Sequence, residues 1–105
     1  MAMDNPSRIS HLIGETVLDV DGDKVGKVTE IAFRPDTEVP EWLVVKTSLF
    51  GRWRLVPLGG AEELGDTLRV PYARDTVLHA PVPEIPVTLA PSERDALLDH
   101  YAHAA

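Results

Sequence analysis

Four acidic residues early in the chain have the spacing of calcium ligands. Asp19, Asp21 and Asp23 alternate along the sequence, and Glu30 is the twelfth residue counted from Asp19. An EF-hand loop uses carboxylates at positions 1, 3 and 5 and a bidentate glutamate at position 12. Here the sixth position, where that loop needs glycine, is Lys24, and both flanks have the alternation of strands. We therefore interpret the segment as a solvated hairpin with Asp19 pointing outward, and predict no calcium site.

Histidines near the C-terminus form a second candidate set of ligands. His100 and His103 are three residues apart, with Asp99 beside them, and side chains at this spacing share one face of a helix. Histidines at a helix C-terminus also interact favourably with the helix dipole, and two are too few for a closed metal site. His11 and His79 are isolated in the sequence and are interpreted as surface or strand-end residues. No metal and no cofactor are predicted.

The sequence offers no recognisable catalytic arrangement. Gly59-Gly60 lacks the spacing and the Lys-Ser/Thr pair of a phosphate-binding loop. The serines belong to no nucleophile motif, and Glu62-Glu63 is interpreted as a solvated turn rather than an acid/base pair. Because there is no cysteine, a thiolate nucleophile, a thiolate zinc site and a disulfide are all excluded. We predict that the protein is not an enzyme.

Residues 50–54, Phe-Gly-Arg-Trp-Arg, combine aromatic and basic residues in a chain of net charge −7. Aromatic residues and arginine anchor protein interfaces, and the same residue types stack on single-stranded RNA. The alternative is that Trp53 belongs to the core and the arginines pair with acids across strands. The predicted partner contacts are this segment together with the apolar stripe of the C-terminal helix: Phe50, Arg52, Trp53, Arg54, Leu97, Leu98 and Tyr101.

Short apolar runs separated by turn signals must position these residues. The predicted strands cover residues 16–20, 24–33, 42–47, 52–58 and 67–70. Asp21-Gly22 predicts a type I′ hairpin turn, in which both central residues have positive φ, and Gly26 predicts a bulge or bend. Residues 61–64 are expected to form a short excursion or helical turn, and residues 71–77 a single helical turn. This pattern is typical of a small antiparallel β-barrel.

The C-terminal part has a different organisation. Three prolines between residues 81 and 86 predict a stiff, extended linker. Residues 91–103 are predicted to form a helix, with Pro91 at its first position and Glu93 in its first turn. A helix of about 13 residues is marginal alone in water, so it must dock on its own barrel or on a second copy. The expected division is a flexible arm (1–10), a barrel domain (11–81), and a linker with a helix (82–105).

Composition limits the class of protein. A chain of 105 residues with 44% hydrophobic residues is sufficient for one domain with a single core. The net charge of −7 argues against binding to duplex nucleic acid or to anionic membranes. No apolar run approaches the roughly 20 residues of a spanning helix, and the first residues lack the pattern of a secretory signal. We expect a cytoplasmic protein without a membrane span.

Taken in order, these segments resemble the PRC-barrel family. The family includes the cytoplasmic domain of the photosynthetic reaction-centre H subunit and the C-terminal domain of a bacterial ribosome maturation factor. The tail over residues 89–101 is similar to the helical extension of stand-alone bacterial members. The resemblance implies a small antiparallel β-barrel, often dimeric, that makes protein contacts and has no common catalytic residues. It is carried by Leu12-Ile13-Gly14 with Val17, residues 21–28, residues 42–45, Val56-Pro57-Leu58, Val70-Pro71-Tyr72 and Ala80-Pro81.

The function expected from these features is that of a non-enzymatic protein–protein interaction module, self-associating as a homodimer. It would present a barrel face or an open sheet edge to another protein, whose identity the sequence does not give. The alternative is an accessory factor in ribosome or ribonucleoprotein assembly, which predicts binding that weakens as salt is raised.

Overall fold

In the computed structural model, which describes residues 9–47, 52–85 and 87–103, six strands form one sheet. The spatial order of the strands is β4-β3-β2-β1-β6-β5. A 3-10 turn (Ser10–Leu12) precedes the sheet, and two α-helices follow it: α1 (Arg74–Leu78) and α2 (Pro91–Ala102). The strands are β1 (Thr16–Leu18), β2 (Lys24–Phe33), β3 (Pro40–Lys46), β4 (Trp53–Pro57), β5 (Glu62–Leu64) and β6 (Thr67–Arg69).

The core lies on the two long central strands. β3 contains four consecutive buried residues, from Trp42 to Val45, so both of its faces are covered. Trp42, the first residue of this buried run, is 1% exposed. Leu55 and Val56 of β4 are also fully buried, and so is Leu97 of α2. The sheet and the C-terminal helix therefore share one core.

The sheet differs from the predicted antiparallel barrel in two respects. β1 pairs with β6 in parallel, while the other neighbouring pairs are antiparallel. β4 and β5 are the two edges, and within the described residues they do not pair, so the sheet is not closed. The parallel pair arises because the β5–β6 hairpin returns the chain to the free side of β1. The fold is mostly β, with one longer C-terminal helix.

The first hairpin does not have the predicted type I′ turn. That turn needs positive φ at both Asp21 and Gly22, but only Gly22 has it, at 88°. Among the described non-glycine residues, Asp36 alone has positive φ. The Asp19 carboxylate instead accepts the N–H groups of Asp21 and Asp23, both at 2.8 Å. These side-chain hydrogen bonds shape the loop in the way of an Asx turn.

Two other local expectations had opposite outcomes. The predicted irregularity near Gly26 is confirmed, since the β1–β2 register shifts between Val17, which pairs with Gly26, and Leu18, which pairs with Lys24. The predicted excursion or helical turn over residues 61–64 is wrong, because Glu62–Leu64 is strand β5, paired with β6. All three residues of β5 are exposed, so the strand lacks the apolar alternation by which a half-buried strand is recognised.

The predicted C-terminal helix is confirmed as α2, and it packs on the sheet of its own chain. The predicted N-terminal arm lies outside the described residues except for its last two positions, where Ile9 is buried and Ser10 begins the 3-10 turn. Phe50 and Pro86 also lie outside the described residues. In the described part of the chain, no helix is long and apolar enough to cross a bilayer.

Candidate interaction surface

A groove with a volume of about 510 Å³ opens beside the 3-10 turn and strand β5. Val39, at its wall, is 49% exposed, and His11 and Glu63 add polar groups. The outer edge of β5 pairs with no other strand among the described residues. An apolar groove beside an open strand edge is a surface to which an extended segment of another protein can bind. The apolar lining consists of Ile9, Leu12, Val39, Pro40, Leu58, Ala61 and Leu68.

At one side of this groove, three ionisable side chains converge; we call them the His–Glu–Glu cluster (His11, Glu15 and Glu63). One ligand-type atom from each of the three lies within 4.8 Å of the other two. His11 Nε2 is 2.9 Å from Glu63 Oε2. Gly14, with φ 96°, turns the chain between His11 and Glu15, and its N–H donates to the Val28 carbonyl at 2.7 Å. The turn thus places two residues that are close in sequence beside one from β5.

The electrostatics of the cluster centre on Glu15. Its Oε1 is buried and has no hydrogen-bond partner in the described structure. Burial raises the pKa of the Glu15 carboxyl, and the neighbouring Glu63 raises it further, while His11 acts in the opposite direction. Two carboxyl groups therefore lie beside one imidazole. Because the two carboxylates repel each other, a positive charge bound between them would be stabilised.

Sequence reasoning did not find this cluster. His11 is exposed, as predicted for a surface residue, but its contact with Glu63 was not predicted. Glu62 and Glu63 are solvent-exposed, as predicted, but the predicted turn is wrong, since both residues belong to β5. His11 and Glu63 are 52 residues apart, and only the pairing of β5 with β6 and of β6 with β1 brings them together. No local pattern carries that information.

The apolar stripe of α2 is mostly internal. Leu97 is fully buried and Tyr101 is 6% exposed. The Tyr101 hydroxyl donates to the Leu55 carbonyl at 2.6 Å, and its ring lies edge-on to Tyr72 with centroids 4.8 Å apart. Leu98, in contrast, is 40% exposed. In this chain, Leu97 and Tyr101 anchor the helix, whereas Leu98 is accessible to a partner.

The basic aromatic segment is also divided between internal and external roles. Arg52 is exposed and Trp53 is half-buried against the core. Arg54 donates from Nε to the Leu78 carbonyl at 3.1 Å and from Nη1 to the Trp53 carbonyl at 2.9 Å, so its guanidinium connects β4 to the end of α1. Of the predicted partner contacts that the structure describes, none lines the groove.

Asp19 is not the outward-pointing residue that the sequence predicted. It is 3% exposed, and its Oδ2 accepts the Arg74 N–H at 3.0 Å while Oδ1 accepts the two N–H groups of its own loop. Burial alone would raise the pKa of Asp19, but these hydrogen bonds hold it below its ordinary value. Both carboxylate oxygens therefore have structural donors. The EF-hand spacing produces no cluster of ligand atoms within the described residues.

One of the two C-terminal histidines connects α2 to α1. His100 Nε2 donates to the Thr76 carbonyl of α1 at 2.8 Å. His103 and His79 each lie near an acid four residues earlier, with nitrogen–oxygen distances of 3.5 Å and 3.6 Å. Both of these pairs are largely exposed, so they contribute little to stability.

The comparison with protein families agrees with this architecture. The model of the PRC-barrel domain matches residues 5–78, which is more than half of the chain. The chain belongs to the PRC-barrel family. The sequence resemblance is thereby confirmed, and the matched range of this PRC-barrel protein includes the groove and the His–Glu–Glu cluster but not α2. No curated protein matches the chain.

Proposed function

We propose that this PRC-barrel chain is a non-catalytic protein-interaction module, and that its partner binds in the groove beside β5. The observation that supports the proposal is the juxtaposition of an apolar groove of about 510 Å³ with an open strand edge. Main-chain groups of β5 would add an extended segment to the sheet, and the groove would take its apolar side chains. Membership in a family of interaction domains agrees with this role.

The test is capture of partners from host lysate with a matched pair of variants. Val39→Asp places a charge in the groove wall, where the side chain is 49% exposed, so folding should be preserved. Val82→Asp makes the same change at a side chain that is 53% exposed and lies outside the groove. We expect Val39→Asp to lose a protein that both the wild type and Val82→Asp retain. Equal capture by all three would refute binding in the groove.

Self-association is the second part of the proposal, and a separate surface supports it. Ile13 and Val87 are 48% and 42% exposed, and they line a hollow of about 400 Å³ together with Ile31 and Phe33 of β2. Among the described residues, Glu30 is the one charged residue in that lining. The hollow is otherwise mostly apolar, as the buried centre of a dimer interface is. Light scattering should show a dimer that Ile13→Asp dissociates. An unchanged mass would contradict this surface.

The basic aromatic segment remains a candidate for additional partner contacts. Arg52 and Leu98 are exposed, and Trp53 is partly so. Trp53→Ala should weaken partner binding more than it weakens folding.

The lysate experiment also tests the alternative function, that of an accessory factor in ribosome assembly. Capture of ribosomal proteins that are lost at higher salt would favour this alternative.

A further inference from the structure

We propose that the His–Glu–Glu cluster binds zinc or a similar divalent transition-metal ion. The three candidate ligands come from separate parts of the fold, with His11 on the 3-10 turn, Glu15 before β1 and Glu63 on β5. One ligand atom from each residue lies within 4.8 Å of the other two. Tetrahedral zinc with bonds of about 2.1 Å places its donors about 3.4 Å apart, so modest side-chain rotations would complete the site.

An independent observation is the unpartnered oxygen of Glu15. Its Oε1 is buried and accepts no hydrogen bond in the described structure, and the Glu15 carboxyl lies close enough to Glu63 to share a proton with it when no cation is bound. A buried acceptor without a partner is costly, and such atoms call for an unseen water or ion. Here the neighbouring groups are a second carboxyl and an imidazole nitrogen, and a cation would satisfy all three at once.

The donor set indicates the kind of metal. Calcium and magnesium prefer oxygen ligands throughout, whereas a set of one imidazole and two carboxylates suits zinc and similar transition metals. Three protein ligands leave a coordination position for water or for a ligand from elsewhere. Because His11 and Glu63 also line the groove, that position would lie beside the proposed partner site.

Zinc would also fix an otherwise weakly held part of the sheet. β5 has three residues, all exposed, and it pairs with β6 alone. A metal joined to Glu63 would tie this edge strand to the 3-10 turn and to the segment before β1. The cation would thereby stabilise one wall of the groove by binding to the folded chain alone. The inference does not depend on the proposed function, because metal binding is measured without a partner.

The experiment is titration of the untagged, chelator-treated full chain with zinc chloride, followed by calorimetry. We expect one zinc per chain at the cluster, and Glu63→Gln and His11→Ala should each weaken binding at least about tenfold. The matched control is Glu62→Gln, which removes the adjacent carboxylate of the same exposed strand and should leave the affinity unchanged. Circular dichroism confirms that each variant is folded.

A competing site is the group of histidines on α1 and α2. His79, His100 and His103 lie around one open hollow at the helix ends, and they could collect zinc adventitiously. The double variant His79→Ala/His103→Ala should keep the tight site, and zinc should shift the ring resonances of His11 in NMR spectra. Absence of tight zinc binding, or tight binding that survives Glu63→Gln and is lost in the double variant, would overturn the proposal.

Discussion

The Asp19 carboxylate accepts the backbone N–H of Arg74, which is 55 residues later in the chain. Arg74 is the first residue of α1, and the cap position before it is Ala73, which has no side-chain acceptor. Free N–H groups at a helix start need such an acceptor. Asp19 provides it from the first hairpin and so connects that hairpin to α1.

We expect Asp19→Asn to destabilise the fold by about 2–4 kcal/mol, because an amide cannot accept with both of its terminal atoms and leaves buried donors unpaired. Asp21→Asn is the matched control in the same loop, since Asp21 is exposed. Urea unfolding followed by circular dichroism measures both. Equal losses for the two variants would mean that the hydrogen bonds of Asp19 have no special role.

Asp19 should also contribute to the acid sensitivity of the protein. Its pKa is lower in the folded chain than the ordinary value of 3.8, so its stabilising effect is complete at neutral pH. The effect is lost as pH falls through about 4 and then through the folded pKa. The urea midpoint should therefore fall more steeply with acid in the wild type than in Asp19→Asn. Parallel profiles for the two proteins would contradict this assignment.

Glu41 should control the attachment of α2. Its Oε1 accepts the Trp42 Nε1–H at 3.0 Å and the Arg94 Nε–H at 2.9 Å, and its Oε2 accepts the Arg94 Nη2–H at 2.6 Å. The hydrogen bonds from Arg94, opposed by burial, lower the pKa of Glu41. Glu41→Gln should speed amide exchange in α2 and alter Trp42 fluorescence, whereas Glu38→Gln, at an exposed position, should do neither.

A double-mutant cycle tests whether the pair itself is responsible. If Arg94 acts through Glu41, then Arg94→Gln should have little further effect on α2 exchange in a Glu41→Gln background. Additive effects would show that each side chain acts on the helix separately.

Sequence reasoning succeeded where structure is set by local pattern. β2 was predicted over residues 24–33 and is observed over the same range, and the helix predicted over residues 91–103 is observed as Pro91–Ala102. β5 was missed because Glu62–Leu64 is an exposed edge strand, formed by backbone pairing with β6 rather than by burial of an apolar face. Apolar periodicity reports burial, so it does not detect such a strand.

Long-range contacts account for the remaining differences. Asp19 was predicted to point outward from a solvated hairpin, but one of the N–H groups that it accepts belongs to Arg74, far outside its own loop. In the same way, the neighbours of His11 are defined only after β6 has paired with β1. The stripe of α2 was correctly recognised as apolar, but its periodicity did not distinguish packing on its own sheet from packing on a partner.

Tyr101→Phe should cost about 1 kcal/mol of stability, because it removes one buried hydrogen bond while keeping the ring. The hydroxyl donates to the Leu55 carbonyl of the edge strand β4, and burial raises its pKa. Leu98→Ala is the control on the same helix, where the side chain is 40% exposed. Thermal unfolding should show a lower midpoint for Tyr101→Phe and little change for Leu98→Ala; the reverse order would place the anchor of α2 elsewhere.

Gly26 is required by close packing of two backbones rather than by an unusual φ. A Cβ at this position would collide with the Lys46 carbonyl oxygen of β3 and lie 2.9 Å from the carbonyl carbon. Gly26→Ala should therefore separate β2 from β3 and destabilise the fold by about 2 kcal/mol or more. At Gly59 a Cβ would meet no atom within 4 Å, so Gly59→Ala should be neutral or stabilise by up to about 1 kcal/mol through the unfolded state. Urea unfolding of the two variants gives the comparison, and a Gly26→Ala protein as stable as Gly59→Ala would show that the strands can separate there without cost.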